Sequence, residues 1–427
     1  MNAKPLKSIL LLTCKSPYLD DPRVHAPMGV LYLDAAVKRD LPHVKVEIDD
    51  DYDLTDAGLR RFEGFDAIGV SIMTPQRKEA TAILNSVKSV WPKKVMIAGG
   101  PHVTYYTDDV AKETWDYMVK GDGERDIVKI LKGEAKDRIL DDILMRKELE
   151  LIPKPDRIGR KDFLARHRYE LRPGLKSTIL IVGRGCPLAC NFCASARSTT
   201  RWHSVDLAAR ELADIKTLGY EAFYIPDDMF AINLAMIKPY LDVIKESGLL
   251  FRCNAHAKFM NDKLAAALKD AGCCEMAFGA ESGSQKILDA INKKTSVQQN
   301  YDFIRIAKNY GIGVKAYMML GLPGEDHKTI SETEEFIRKS IDIFGLDDFQ
   351  LAIYYPYKGT AIRKAMDQNK DIDLQFLGEG LGAHTHGQGL AEARVRTKAL
   401  SAEDLLRERT MLIKKYQPKS HMPAWKK

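Results

Sequence analysis

Cys186, Cys190 and Cys193 fall within eight residues, in the stretch Gly185-Cys186-Pro187-Leu188-Ala189-Cys190-Asn191-Phe192-Cys193. Three thiols spaced four and then three residues apart on a loop can converge on one inorganic centre. Thiolates are the ligands that iron–sulfur clusters require. Three of them leave one iron of a four-iron cube open to chelate a substrate, whereas a fourth cysteine would suit electron transfer alone. Zinc is the competing reading. Structural zinc sites pair C-x₂-C units and close four ligands, and no second pair or H-x₃₋₅-H lies nearby. The ligand chemistry favours a [4Fe–4S] cluster. Cys14, Cys253, Cys273 and Cys274 are outside the loop, and the adjacent Cys273 and Cys274 follow a helical pattern and suit packing. Seven cysteines, an odd count without a secretory signal, argue against a disulfide framework.

The loop needs a scaffold on either side. From Ser177 the chain alternates strand-like runs (Ile179–Val182, Ala222–Ile225, Phe251–Asn254, Met276–Gly279, Gly313–Leu320, Phe349–Tyr354) with helical patterns (Val205–Leu218, Leu234–Ser247, Asp262–Ala271, Ser296–Tyr310, Thr329–Ile341). Six βα units imply a parallel barrel, complete or partial, with its chemistry at the C-terminal strand ends. The cysteine loop directly follows the first of these strands.

The barrel segment resembles the radical SAM (S-adenosylmethionine) superfamily. C-x₃-C-x₂-C with an aromatic, Phe192, before the last cysteine is its signature. Tyr224-Ile225-Pro226-Asp227-Asp228-Met229-Phe230 stands where the family's second-strand motif meets the SAM amino group. Ala277-Phe278-Gly279-Ala280-Glu281-Ser282-Gly283-Ser284-Gln285 matches the fourth-strand segment that contacts ribose and methionine. Met319-Leu320-Gly321-Leu322-Pro323-Gly324-Glu325 matches the fifth-strand segment beside the adenine, and Pro356-Tyr357-Lys358-Gly359-Thr360 the segment after the sixth strand. The resemblance implies cluster ligation by Cys186, Cys190 and Cys193. It implies SAM contacts from Phe192, Asp227, Asp228, Glu281, Ser282, Gly321, Leu322 and Pro323. Related sequences often carry an arginine after the third strand. This one reads Cys253-Asn254-Ala255-His256-Ala257, so His256 takes that place or supports it from behind. Tyr354, Tyr355 and Tyr357 line the pocket or relay a proton or hydrogen atom; Tyr354 is the candidate chosen. In the implied chemistry, the reduced cluster cleaves SAM to methionine and a 5′-deoxyadenosyl radical, which abstracts a hydrogen from an unreactive carbon.

Residues 1–135 also alternate strand and helix with short connections, as in a doubly wound, flavodoxin- or Rossmann-like parallel sheet. They resemble the cobalamin-binding domain that precedes the barrel in one large radical SAM subgroup, the class B methyltransferase-like enzymes. The matching stretches are Pro27-Met28-Gly29-Val30-Leu31-Tyr32-Leu33, Asp66-Ala67-Ile68-Gly69-Val70-Ser71, Ala98-Gly99-Gly100-Pro101-His102 and Gly121-Asp122-Gly123-Glu124. The resemblance implies cobalamin contacts from Ser71, Met73, Thr74, Gly99, Gly100, His102 and Glu124. The D-x-H-x-x-G motif is absent, which implies that no histidine ligates cobalt from below.

The expected organisation is a cobalamin-binding-like domain (1–135), a linker (136–175), a partial (β/α)₆ TIM-like barrel (176–360) and a short, mostly helical C-terminal extension (361–427) that covers the active site. The extension holds a Gly/His-rich patch with His384 and His386, and a helix whose Arg407, Arg409, Lys414 and Lys415 form a solvated face. Hydrophobic residues are 45%, charged residues 29% and the net charge +6, as in a soluble globular protein. No run approaches the roughly 20 apolar residues of a membrane span, so the chain is expected in the cytoplasm. No basic, aromatic-interleaved motif points to nucleic acid. The function the resemblance implies is C-methylation at an unactivated carbon of a small-molecule or peptide substrate, with flavodoxin or ferredoxin as electron donor. The alternatives are a cobalamin-containing cyclase or rearrangement catalyst, and a non-catalytic sensor or scaffold. A methylthiotransferase is disfavoured, because the N-terminal domain has only Cys14.

Overall fold

The computed structural model describes residues 4–17, 21–380 and 392–417. The chain divides into two compact units between Arg168 and Tyr169.

The first unit is built on β1 (Ser8–Thr13), β2 (Lys45–Asp49), β3 (Ala67–Ser71), β4 (Val95–Gly99), β5 (Tyr117–Val119) and β6 (Ile139–Leu140). Every pairing is parallel, in the order β2-β1-β3-β4-β5-β6. Residues 9–12 and 67–70 are buried without alternation, which is how strands covered on both faces read. The strand order reverses between β1 and β3. In such a flavodoxin-like sheet the ligand crevice lies beyond the C-terminal ends of those two strands.

β6 falls where a linker was expected. Residues 136–168 belong to the first unit instead. Met118 and Val119 pair with Ile139 and Leu140, and Arg160 makes a two-pronged contact with Asp34 at 3.0 and 2.8 Å. Asp34 is fully buried on the helix Met28–Asp40. A two-residue strand is too short to show a period, so nothing in the sequence announces it.

The second unit begins with β7 (Ser177–Ile179), followed by a short antiparallel pair, β8 (Gly183–Arg184) and β9 (Arg201–Trp202). Then come β10 (Ala222–Ile225), β11 (Leu250–Ala255), β12 (Cys273–Glu281), β13 (Gly313–Leu320) and β14 (Asp348–Ile353). The six long-range strands form one parallel sheet, β7-β10-β11-β12-β13-β14. It is the partial barrel anticipated, with helices between successive strands. Cys273 and Cys274 open β12 and are buried there.

The strand period of two sorts the side chains onto two faces. Phe223, Phe251, Met276, Phe278, Val314 and Phe349 are buried, and Phe278 stacks on Phe303 of the helix Val297–Asn309 at 4.1 Å. That face packs against the helices. The register places Tyr224 beside Arg252, Arg252 beside Glu275, and Lys315 beside Asp348 on the opposite face. There Arg252 donates to the Tyr317 hydroxyl at 2.6 Å and lies 3.2 Å from Glu275. The concave interior is therefore polar, although a helix-facing pattern alone would not predict which charges it holds.

β7 and β14 are the sheet's two edges. The helix Ala402–Tyr416 covers β14, where Arg409 donates to the Leu351 carbonyl at 2.7 Å. Arg409 is buried, not part of the solvated face expected of it. Among the described residues no helix is long and apolar enough to cross a membrane.

The Arg160–Asp34 contact supplies a test of the first unit's extent. Arg160→Met leaves Asp34 buried with only Lys38 (3.1 Å) as partner. The expected loss is about 2 kcal/mol, read from the denaturant midpoint; a truncation at residue 135 should be less stable still.

Candidate active site

The cysteine loop has no regular structure of its own, so its shape depends on stitches from its neighbours. Ser198 closes it: the Cys186 N–H donates to the Ser198 hydroxyl at 2.8 Å, and the Ser198 N–H to the Cys186 carbonyl at 3.0 Å. The Arg197 N–H reaches the Leu188 carbonyl at 2.7 Å. Asn292 donates through its side chain to the Ala189 carbonyl at 2.6 Å. Asn191 donates its N–H to Ile291 at 2.9 Å and accepts from the Ile362 N–H at 3.1 Å. Gly185 enters the loop at φ +91°, where a Cβ would lie 2.4 Å from the Thr199 carbonyl oxygen. Only glycine fits that conformation and that space.

Asp227 and Asp228 brace the strand exit from β10. Asp227 accepts from the Val182 and Gly183 N–H groups at 3.1 and 2.6 Å. Burial pushes its carboxyl up to about 8 despite those donors. It holds the chain where β7 ends, earlier than the sequence pattern suggests. Asp228 accepts from the Ser195 hydroxyl and the Gly185 N–H, and burial raises its carboxyl too. Both residues thus shape the loop directly.

The three thiols lie close enough to influence one another: Cys193 acts on Cys186, Cys186 on Cys190 and Cys190 on Cys193. Burial raises all three above the ordinary thiol value, Cys193 to about 11. Among the described residues no three His, Cys, Asp or Glu side chains form a group tight enough for one metal ion. A four-iron cube takes one thiolate per iron, and this donor set fits it.

Across from the loop, Glu281 ends β12 in a left-handed conformation, φ +61°. Its carboxylate pairs with Lys293 at 2.7 Å, and both side chains are buried. The Lys293 ammonium is 5.7 Å from the centre of the Phe192 ring. Gly279 makes the room: a Cβ there would sit 2.0 Å from the Glu281 carboxylate and 2.7 Å from the Lys293 nitrogen. His256, at the end of β11, is 3% exposed. Its Nδ1 accepts from the Lys258 N–H at 3.3 Å, and its buried Nε2 has no hydrogen-bond partner. Burial, with the charges of Lys293 and Lys258, pushes its pKa down to about 3. It is a neutral imidazole with one nitrogen still to be satisfied, as a ligand-facing group would be.

The remaining positions divide. Ser282 is fully buried and turns to Thr333 at 3.1 Å and to the Ser284 N–H at 3.1 Å, fixing the bend after β12. The Gly321 N–H donates to Glu325, whose carboxyl burial raises to about 8. Leu322 is fully buried. Pro323 lines an open cavity of about 360 Å³ together with Asn191, Ala290 and Ile362, so the fifth-strand segment reaches the cysteine loop. Tyr354 is 1% exposed at the end of β14, in the barrel core. His384 and His386 lie outside the described residues.

In the first unit, β1 and β3 end side by side, with Thr13 paired to Ser71. Met73 beyond β3 is 47% exposed. Thr74 shares a 3.3 Å hydrogen bond with His102, which is buried and stacks on Tyr106. Gly99 has only ordinary contacts around a built Cβ, but Gly100 does not. At φ +98° its Cβ would lie 2.9 Å from both the N and O of Ile72. Gly100 is required by the chain's own approach to β3. Glu124 is buried at the start of the helix Glu124–Lys132. The buried hydroxyl oxygens of Thr13 and Ser16 have no partner. The crevice therefore retains donors for a polar ligand, including two that the sequence reading missed.

Residues 180–337 match the Radical SAM superfamily and residues 22–131 the B12 binding domain. The chain joins a B12-binding domain to a radical SAM domain. Its cofactors are accordingly the [4Fe–4S] cluster, SAM and cobalamin. The enzyme is similar to the uncharacterized methyltransferase PH0819 of Pyrococcus horikoshii: 29% identical over 363 residues, 79% of this chain and 77% of the relative. It is also similar to the anaerobic magnesium-protoporphyrin IX monomethyl ester cyclase of Rubrivivax gelatinosus: 25% identical, covering 64% of this chain and 54% of the cyclase. Among solved structures its fold is that of the cobalamin-dependent SAM radical enzyme OxsB (TM-score 0.63, 19% identity, 78% of this chain and 52% of OxsB). It is shared by the radical SAM methyltransferase TsrM from Kitasatospora setae (TM-score 0.63, 15% identity, 87% and 77%). The chain spans about half the length of OxsB and of the cyclase.

Sequence reading missed Lys293 and Asn292. Nothing local separates Lys293 from Lys294; only burial does. Asn292 adopts φ +54°, which asparagine tolerates better than most residues, and its side chain then holds the loop. Asn292→Ala should shorten cluster retention several-fold, measured as iron release to a chelator in anaerobic buffer. Thiols held above their ordinary value must shed protons on ligation. Cluster assembly on the apoprotein should therefore rise from pH 7 to pH 9, followed by the charge-transfer absorbance.

Proposed function

We propose that this enzyme is a C-methyltransferase acting on an unactivated carbon of a small-molecule or peptide substrate. The observation that carries the reading is one chain holding both a stitched three-cysteine loop at the mouth of a half-barrel and a B12-binding domain. Once bound, the cluster and SAM supply a 5′-deoxyadenosyl radical, and cobalamin supplies a methyl carrier. The chain's own part is binding and placement. Cys186, Cys190 and Cys193 would hold the cluster, one thiolate to an iron. Asp227, Asp228 and Asn292 keep the loop in place, and neutral His256 offers its free nitrogen without adding charge. Phe192, Glu281, Gly321, Leu322 and Pro323 are proposed for SAM, and Tyr354, buried just after β14, for the substrate side. Ser71, Met73, Thr74, Gly99, His102 and Glu124 are proposed for the corrinoid. An external one-electron donor such as flavodoxin or ferredoxin completes the scheme.

Rearrangement without methyl transfer is the second reading, supported by the likeness to a named cyclase. Methyl-labelled SAM separates the two without knowledge of the substrate. With reduced cobalamin bound, a methyltransferase moves the label to the corrinoid and releases S-adenosylhomocysteine. Cleavage to 5′-deoxyadenosine with no labelled corrinoid would support the cyclase reading. Neither product from fully loaded protein would support a sensor or scaffold.

A further inference from the structure

Lys293 is a buried cation beside the cysteine loop that the fold itself does not demand. Its ammonium is almost wholly inside the protein, 2.7 Å from Glu281. Replacing such a pair with apolar side chains of similar size commonly costs nothing in stability, so stability does not explain it. The structure nevertheless invests in it. Gly279 is empty of side chain where the pair sits. Asn292 and Lys294 flank Lys293 in left-handed conformations, φ +54° and +59°. The same segment is tied to the cysteine loop through Ile291 and Asn292. Wherever the loop is held, Lys293 is held with it. Its ammonium lies at the loop, 5.7 Å from the centre of the ring of Phe192, the neighbour of Cys193. Together with burial and Lys258, it also helps keep His256 neutral.

A cluster with a 2+ core and three thiolates carries one net negative charge, and one-electron reduction makes it two. A fixed cation in a water-poor site favours the more negative state. Glu281, hydrogen-bonded to that cation, opposes part of its field. We propose that Lys293 is an electrostatic positioning residue that raises the reduction potential of the cluster, with Glu281 setting how much of its charge the cluster feels. The proposal rests on the cluster in the loop and is independent of whether a methyl group is transferred.

The test is a redox titration of reconstituted full-length protein, without SAM or substrate, following the reduced cluster by electron paramagnetic resonance. Iron content and circular dichroism are matched between variants. K293M should shift the midpoint to a more negative potential, K293R should restore it, and E281Q should shift it the other way. A wild-type midpoint in cluster-loaded K293M would overturn the proposal. Should K293M fail to assemble its cluster, E281Q decides alone: a positive shift supports the proposal, and an unchanged or more negative midpoint rejects it. Failure of the methyl-label experiment would leave this result untouched.

Discussion

A four-iron cube needs three thiolates at fixed separations, and here they sit on a loop that makes neither helix nor strand. Everything else in the barrel unit answers that constraint. The loop is fastened to Ser198 behind it, to Ile291 and Asn292 beside it and to Ile362 beyond β14. These anchors are far apart in sequence, and only the curled sheet brings them together. Burial adds a second demand, because it holds the thiols protonated until metal displaces the protons. Geometry is therefore largely prepared in advance, while the charge state of the ligands changes on assembly.

The same low-polarity surroundings that favour protonated thiols make nearby charges count. Asp227 is kept where two backbone donors can satisfy it, although burial works against its ionised form. Glu281 offsets part of the Lys293 charge, and His256 stays uncharged. The site thus has few free charges and one unpartnered imidazole nitrogen. Such a setting suits a radical, which needs exclusion of water more than it needs acids and bases.

Much of this was legible beforehand, and the reason is periodicity. Hydrophobic runs bounded by glycine and proline gave both parallel sheets, and the cysteine spacing marked the loop. What escaped notice had no period or no local signal. β6 is two residues long. Arg409 looks like any exposed helix arginine until β14 is placed beside it. Lys293 and Lys294 are adjacent and chemically identical, yet only one is buried. Ser282 and Asp227 drew attention through motif position, and each proves to be bonded to its own backbone surroundings. Gly100, an implied cobalamin contact, is also where the chain after β4 passes close to the Ile72 backbone. Motif resemblance locates a site more readily than it says which atoms of each residue are already committed.

The central claim is that the stitched cysteine loop is a working radical SAM centre. The most direct measurement is formation of 5′-deoxyadenosine from SAM by anaerobically reconstituted protein under a strong one-electron reductant, compared with Cys190→Ala. The account predicts deoxyadenosine from the wild-type protein and none from the variant. Wild-type protein with a full complement of iron and sulfide that leaves SAM uncleaved would contradict it.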